Sequence, residues 1–366
     1  MAKLLFSFLL VFHGLIHLIG FAKAFQIAKI SEITQNISRP VGVLWLISFL
    51  LFITTATLFL FKNNLWWLLA ILAVILSQTL VIMYWQDTKY GSIPNIIILV
   101  IAIIGYGIWN FNSTTQNELK SLLPSTNYKT LYITKETISK LPPIVQKWLE
   151  RSNIVGKNYI KSIYLEQKGK MRITPEGNWM DVTAKQWFNT ENPGFIWIAK
   201  VKMFPGAYFA GRDKYENGKG HMLIKLLYLI PVVDEKGREI DQGTLLRYLG
   251  EIVWFPTAAL SKYIKWEQID KKIAKATISH GKITATGIFE FNENGDLISF
   301  QARRYYNRKG KNTLENWYVR IEPDSYKEFE NVRIPTVFSV TWKLKEGDFT
   351  WYKFEVTNVK YNLPPK

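Results

Sequence analysis

The chain has 366 residues, 48% of them hydrophobic, and a formal net charge of +17 from 46 Lys and Arg against 29 Asp and Glu. It has no cysteine and only four histidines (His13, His17, His221 and His280), which excludes disulfides and thiolate metal sites and leaves little for a histidine-rich metal centre. Charge is unevenly spread, with residues 1–114 holding only six Lys and Arg and two acids. A charge-poor apolar part followed by a basic polar part implies a membrane segment and a globular segment.

Four apolar runs open the chain: Leu4–Gly20, Val41–Phe61, Leu65–Trp85 and Pro94–Phe111. Each is near the roughly 20 residues that a helix needs to cross a bilayer. Trp45, Trp66, Trp67, Tyr84, Trp85 and Trp109 lie mostly near run ends, where interfacial aromatics belong. The first run has signal-peptide features, Lys3 and Ala22-Lys23-Ala24, but three further spans and two histidines in its core favour an uncleaved helix. Four spans return the chain to its starting side. The bases Lys23, Lys29 and Arg39 in the first loop weigh towards that loop being cytoplasmic, which would put the C-terminal part outside an inner membrane.

His13 and His17 are one helical turn apart inside the first span. Ionisable groups there are functional candidates, as a metal or haem ligand pair or a proton relay. The structural alternative, which we favour, is hydrogen bonding to Thr54, Thr55 or Gln78 on neighbouring spans.

Residues 113–157 read as a connection. Asn112–Thr130 is a polar linker, and Pro142–Arg151 a short helix with Ile144, Val145, Trp148 and Leu149 on one face. Residues 158–366 alternate or are β-branched and aromatic. The candidate strands are 159–173, 179–189, 195–203, 208–216, 220–228, 265–270, 273–279, 282–292, 297–306, 317–326, 332–344 and 350–359. Short connections make them antiparallel, and so many strands must curl.

One helix, 241–255, interrupts the strands. Asp241 is a candidate N-cap; Leu245, Leu246, Leu249, Ile252 and Val253 make an apolar face; Pro256 ends it. The expected architecture is therefore four transmembrane helices (1–112) plus an α+β domain, a curled antiparallel β half-barrel with an embedded helix.

The runs FHGLIHLIGFAKAF, LPPIVQKWLERS, NPGFIWIAKVKM, GRDKYENGKG and DQGTLLRYLGEIVWFPTA resemble a family of uncharacterised bacterial membrane-associated proteins, a domain of unknown function. That family implies no catalytic residue. The strand-rich part with its embedded helix is similar to lipoprotein-carrier half-barrels, which implies an apolar concavity that holds acyl chains.

The polar candidates are Arg212-Asp213 and Arg247 with Glu251. As carboxylates in apolar surroundings, Asp213 and Glu251 are candidate acid/base groups; the structural alternative is that Arg247 and Arg212 neutralise them and fix the helix to the sheet. Trp254 and Phe255 are expected at the mouth of a cavity between helix and sheet; the alternative is that the bulky Trp and Phe side chains close that space completely. Arg303, Arg304 and Arg308, in a basic run with aromatics, suit anionic lipid headgroups rather than nucleic acid; the alternative is a solvated hairpin tip with no partner. His221 and His280 stand isolated, and no metal or cofactor is expected. The reading is binding of an acyl or lipid-like ligand beside the bilayer. An enzyme using Asp213 and Glu251, and an assembly partner without ligand, are the alternatives.

Overall fold

The computed structural model describes residues 2–123, 131–308 and 310–363. The chain divides into two units, Met1–Ser113 and Thr114–Lys366.

The first unit is built from α1 (Ala2–Ala24), α2 (Arg39–Leu60), α3 (Trp66–Met83) and the greater part of α4 (Ser92–Leu122). All four are long and apolar enough to cross a membrane. Their outward faces carry large apolar side chains, such as Leu4 at 69% and Phe8 at 67% exposure, while Ser48, Thr55 and Ser77 are fully buried. That inversion of a water-soluble bundle suits lipid, where small and polar residues join helices. At Gly20 a Cβ would lie 2.2 Å from the Trp45 ring, so only glycine lets α1 and α2 approach there.

α4 departs from the expected linker. It continues to Leu122 because Leu119 and Leu122 bury against Trp187 and Ile196. Residues 124–130 of the expected linker, and Lys309 of the basic run, lie outside the described residues.

In the second unit, α5 (Pro143–Arg151) precedes β1 (Ser162–Met171), β2 (Met180–Asn189), β3 (Gly194–Phe204), β4 (Ala207–Glu216), β5 (Lys219–Leu226) and β6 (Ile230–Lys236). Then comes α6 (Arg238–Glu251), followed by β7 (Ile264–Gln268), β8 (Ile273–His280), β9 (Ile283–Phe291), β10 (Leu297–Arg308), β11 (Lys311–Ile321), β12 (Tyr326–Phe329), β13 (Val332–Pro335), β14 (Val337–Leu344) and β15 (Gly347–Tyr361). Thirteen strands form one antiparallel sheet in the order β6-β5-β4-β3-β2-β1-β15-β14-β11-β10-β9-β8-β7, and β12 pairs with β13. The sheet curls into a half-barrel. Its two arms meet where His280 of β8 bonds the Tyr215 hydroxyl of β4 at 3.0 Å.

Strand β6 is not among the expected strands; its Pro231, which cannot donate to a ladder, is tolerated because β6 is an edge strand. The single strand expected over 332–344 is two, β13 and β14, with Thr336 between them.

α6 begins earlier than expected, after Gly237 with φ of 118°. Asp241 is therefore not the cap. It sits in the first turn, buried, where it accepts the Gly220 amide at 2.7 Å and pairs with Lys219 at 3.1 Å. The α-helix ends at Glu251 and tightens to a 3-10 turn over Ile252–Trp254. The Pro256 ring conflicts with the carbonyl four residues earlier, that of Ile252, so the ladder changes there. α6 packs against β3–β6 on one arm and β8–β10 on the other, so it lies within the curl. Leu245, Leu246, Leu249, Ile252, Val253, Trp254 and Phe255 are all part of the continuous core.

Candidate functional site

Alternation along the strands decides which side chains face α6. Register places Gln167, Gly169 and Met171 of β1 opposite Ala184, Val182 and Met180 of β2. It carries the same face through Trp197, Ala199 and Val201 of β3 to Asp213, Gly211 and Phe209 of β4.

Asp213 therefore points into the curl, and Arg247 of α6 reaches it. Arg247 donates from Nη1 to Asp213 Oδ2 at 2.8 Å and from Nε to Glu251 Oε1 at 2.8 Å. Gln186 donates to Glu251 Oε2 at 2.8 Å. Gln167 links onward, donating to Gln186 Oε1 at 3.4 Å and accepting from the Trp197 indole at 2.9 Å. The guanidinium also stands over the Phe195 ring at 5.0 Å and the Trp197 ring at 4.9 Å. The sequence pairing of Arg247 with Glu251 holds, and the structure adds Asp213, Gln186 and Gln167.

Burial pushes the Glu251 carboxyl up from its usual range, against the pull of Arg247 and Gln186. The Arg247 guanidinium is held firmly charged; burial works against it, but Glu251 and Asp213 win.

Arg304 is the site residue that the sequence placed elsewhere. The sequence groups it with Arg303 and Arg308 in one basic run, yet strand alternation turns it inward. Its guanidinium stacks over Trp317 at 4.9 Å, and α6 passes close because residue 243 is glycine, where a Cβ would lie 3.3 Å from Arg304 Nε. Burial, with repulsion from Arg247, lowers its pKa to about 10 despite Asp213 and Glu251. Among the described residues the Arg304 guanidinium has no ion pair, and the buried Asp213 Oδ1 has no hydrogen-bond donor. Arg303 faces outward, and Arg308 is paired with Glu315 at 2.9 Å and Glu346 at 2.7 Å.

Arg212 does not join this group. One residue from Asp213, it faces the other side of the sheet, where its Nε lies 3.5 Å from Glu118 of α4 and its Nη2 is 2.9 Å from His221. Neither His221 nor His280 is isolated. His221 also bonds Asp234 at 2.6 Å, and His280 is held by Tyr215 and Asn192. Among the described residues no cluster fit for a metal occurs.

Trp254 and Phe255 are not at a mouth. Both are fully buried, Trp254 against Phe338 and Phe354, and Phe255 against Phe188. The apolar face of α6 thus closes its share of the concavity. Beyond the ion network the wall is less covered: Met171, Met180, Trp197, Phe209 and Tyr306 are only partly buried. A separate cleft of about 410 Å³ lies at the β4–β6 edge, lined by Lys214, Lys219, His221, Lys236 and Asp241 among others. Its charged wall does not suit an acyl chain.

In the first unit, His13 Nε2 bonds Asn95 Oδ1 at 2.9 Å, and His17 bonds Ser77 Oγ and the His13 carbonyl, each at 2.9 Å. Polar partners on neighbouring helices were expected, but they are Asn95 and Ser77, not Thr54, Thr55 or Gln78. Asn95 in turn donates to Gln78 at 3.0 Å.

Residues 132–354 match a family of unknown function, DUF6544. The chain belongs to that family. No curated protein matches it. Among solved structures, the DUF6544 chain is similar to a Vibrio parahaemolyticus domain described as an outer membrane lipoprotein-sorting protein domain. The identity is 10% and the TM-score 0.35, covering 60% of this chain and 90% of that one. It is also similar to a DUF1329 family protein from Desulfovibrio piger, with 9% identity and a TM-score of 0.33 over 64% of this chain and 95% of that one.

Proposed function

We propose that this protein is a membrane-anchored binder of a lipid-like amphiphile, with the ligand on the open part of the half-barrel's concave face. The observation that carries the reading is the ion network beside partly exposed apolar side chains. Asp213, Arg247 and Glu251 are sunk in an aromatic wall with Arg304 half-buried beside them; among the described residues the buried Asp213 Oδ1 has no hydrogen-bond donor and Arg304 has no ion pair. A buried carboxylate oxygen without a donor is costly, and a headgroup that donates to Asp213 Oδ1 and presents an anion to Arg304 relieves that cost. Met171, Met180 and Phe209 then offer apolar surface for the chain, at about 0.8 kcal/mol per buried CH₂. In this reading the half-barrel stands outside the inner membrane. Arg247 and Glu251 organise the site rather than perform chemistry, since both Glu251 oxygens already accept hydrogen bonds.

The test uses the full chain in lipid vesicles with a photoactivatable fatty acid. Crosslinked peptides should include those with Met171, Met180 and Phe209, and Val201→Trp, which fills that wall, should reduce them. Crosslinks confined to residues 2–111 would remove the proposal.

A further inference from the structure

Three adjacent hairpins, β1–β2, β3–β4 and β5–β6, turn at one end of the half-barrel, as the antiparallel order requires. Their tips carry large apolar side chains directed at solvent: Ile173 at 67%, Phe204 at 60%, Ile230 at 60% and Val232 at 50% exposure, with Met203 beside them. Isolated exposed apolar residues are ordinary, but a row of them on protruding loops marks an interaction surface. The same segments, 168–181, 200–208 and 225–232, hold six bases (Lys168, Lys170, Arg172, Lys200, Lys202, Lys225) and two acids (Glu176, Asp181). Asp181 is already taken by Lys170 at 2.8 Å.

The composition of the tips identifies the partner: exposed apolar side chains flanked by six bases against two acids complement a surface that is apolar beneath and anionic above. Apolar wedges ringed by lysines match the headgroup layer of a bilayer that carries anionic lipid, apolar side chains entering the acyl boundary and lysines meeting phosphates.

We infer that the three tips dip into the surface of a bilayer containing anionic lipid, with Phe204 and Ile230 as the leading wedges. This contact is independent of ligand binding on the concave face.

The chain has no cysteine, so single labels report single sites. The full-length Phe204→Cys and Ile230→Cys variants are labelled with an environment-sensitive NBD group and reconstituted in phosphatidylglycerol–phosphatidylcholine vesicles. Asn294→Cys, on the exposed β9–β10 turn at the opposite end, is the reference. The labels at 204 and 230 should show blue-shifted emission and lose most intensity to brominated lipid, whereas the label at 294 keeps the spectrum of a water-exposed group. Vesicles of phosphatidylcholine alone should reduce the quenching at 204. A label at 204 as water-exposed as that at 294 would overturn the inference. So would a blue shift without quenching by brominated lipid, because protein would then cover the tips.

Discussion

Replacing Arg247 by methionine tests the ion network most directly. Arg247 is the cation that joins Asp213 and Glu251, each at 2.8 Å, and its side chain is only 14% exposed. Methionine approximates its stem but leaves two carboxylates facing each other without it. Removing one partner of a buried pair costs roughly 3–5 kcal/mol, because a charge stays uncompensated. In a unit of this size each kcal/mol shifts the melting temperature by about 2–4 °C, so a fall of about 6–20 °C is expected. The deficit should depend on pH. Burial already raises the Glu251 carboxyl, and loss of Arg247 raises it further. A folded pKa above the unfolded one of about 4.3 means that the deficit is absent below that value and grows as pH rises through the folded pKa. Melting of the full chain, followed by tryptophan fluorescence, should therefore show a smaller loss near about pH 5 than near about pH 8. Combining Arg247→Met with Asp213→Asn and Glu251→Gln should recover much of the stability, since no unpaired charge remains. A single variant that melts within about 2 °C of the parent at both pH values would refute the reasoning.

Asp241→Ala leaves the buried Gly220 amide without its 2.7 Å acceptor and should cost about 1–3 kcal/mol, read as a lower melting temperature. At Asp296, burial works to raise the carboxyl pKa, but hydrogen bonds from Arg333 and Arg151 outweigh it and hold the pKa below the usual range. A depressed folded pKa means stability present above the unfolded value and lost as pH falls through the folded one, so Asp296→Asn should melt lower at neutral pH and lose less on acidification. Cysteines at Ser31 and Lys345 should be labelled from opposite sides of the membrane; labelling of both from one side would rule out four spans.

Residue sequence alone determined the elements whose signal is local. Four runs of lipid-compatible length needed only their hydropathy, and the alternation of Tyr352, Phe354 and Val356 marked an inward strand face that the structure retains. Arg247 and Glu251 were legible as a pair because four residues is one helical turn. Distance along the chain hid the rest. Asp213 joins Arg247 from 34 residues away, and Gln186 joins Glu251 from 65, only because the sheet curls over α6. Arg304 looked like part of an exposed basic run, since consecutive strand residues point to opposite faces and only the paired register says which face is inside. The same parity sent Arg212 out and Asp213 in. Trp254 and Phe255 carried a strong apolar signal, but side-chain type sets how much surface seeks burial, not where. Their burial in the core, rather than at a rim, was decided by Phe188, Phe338 and Phe354 arriving from β2, β14 and β15.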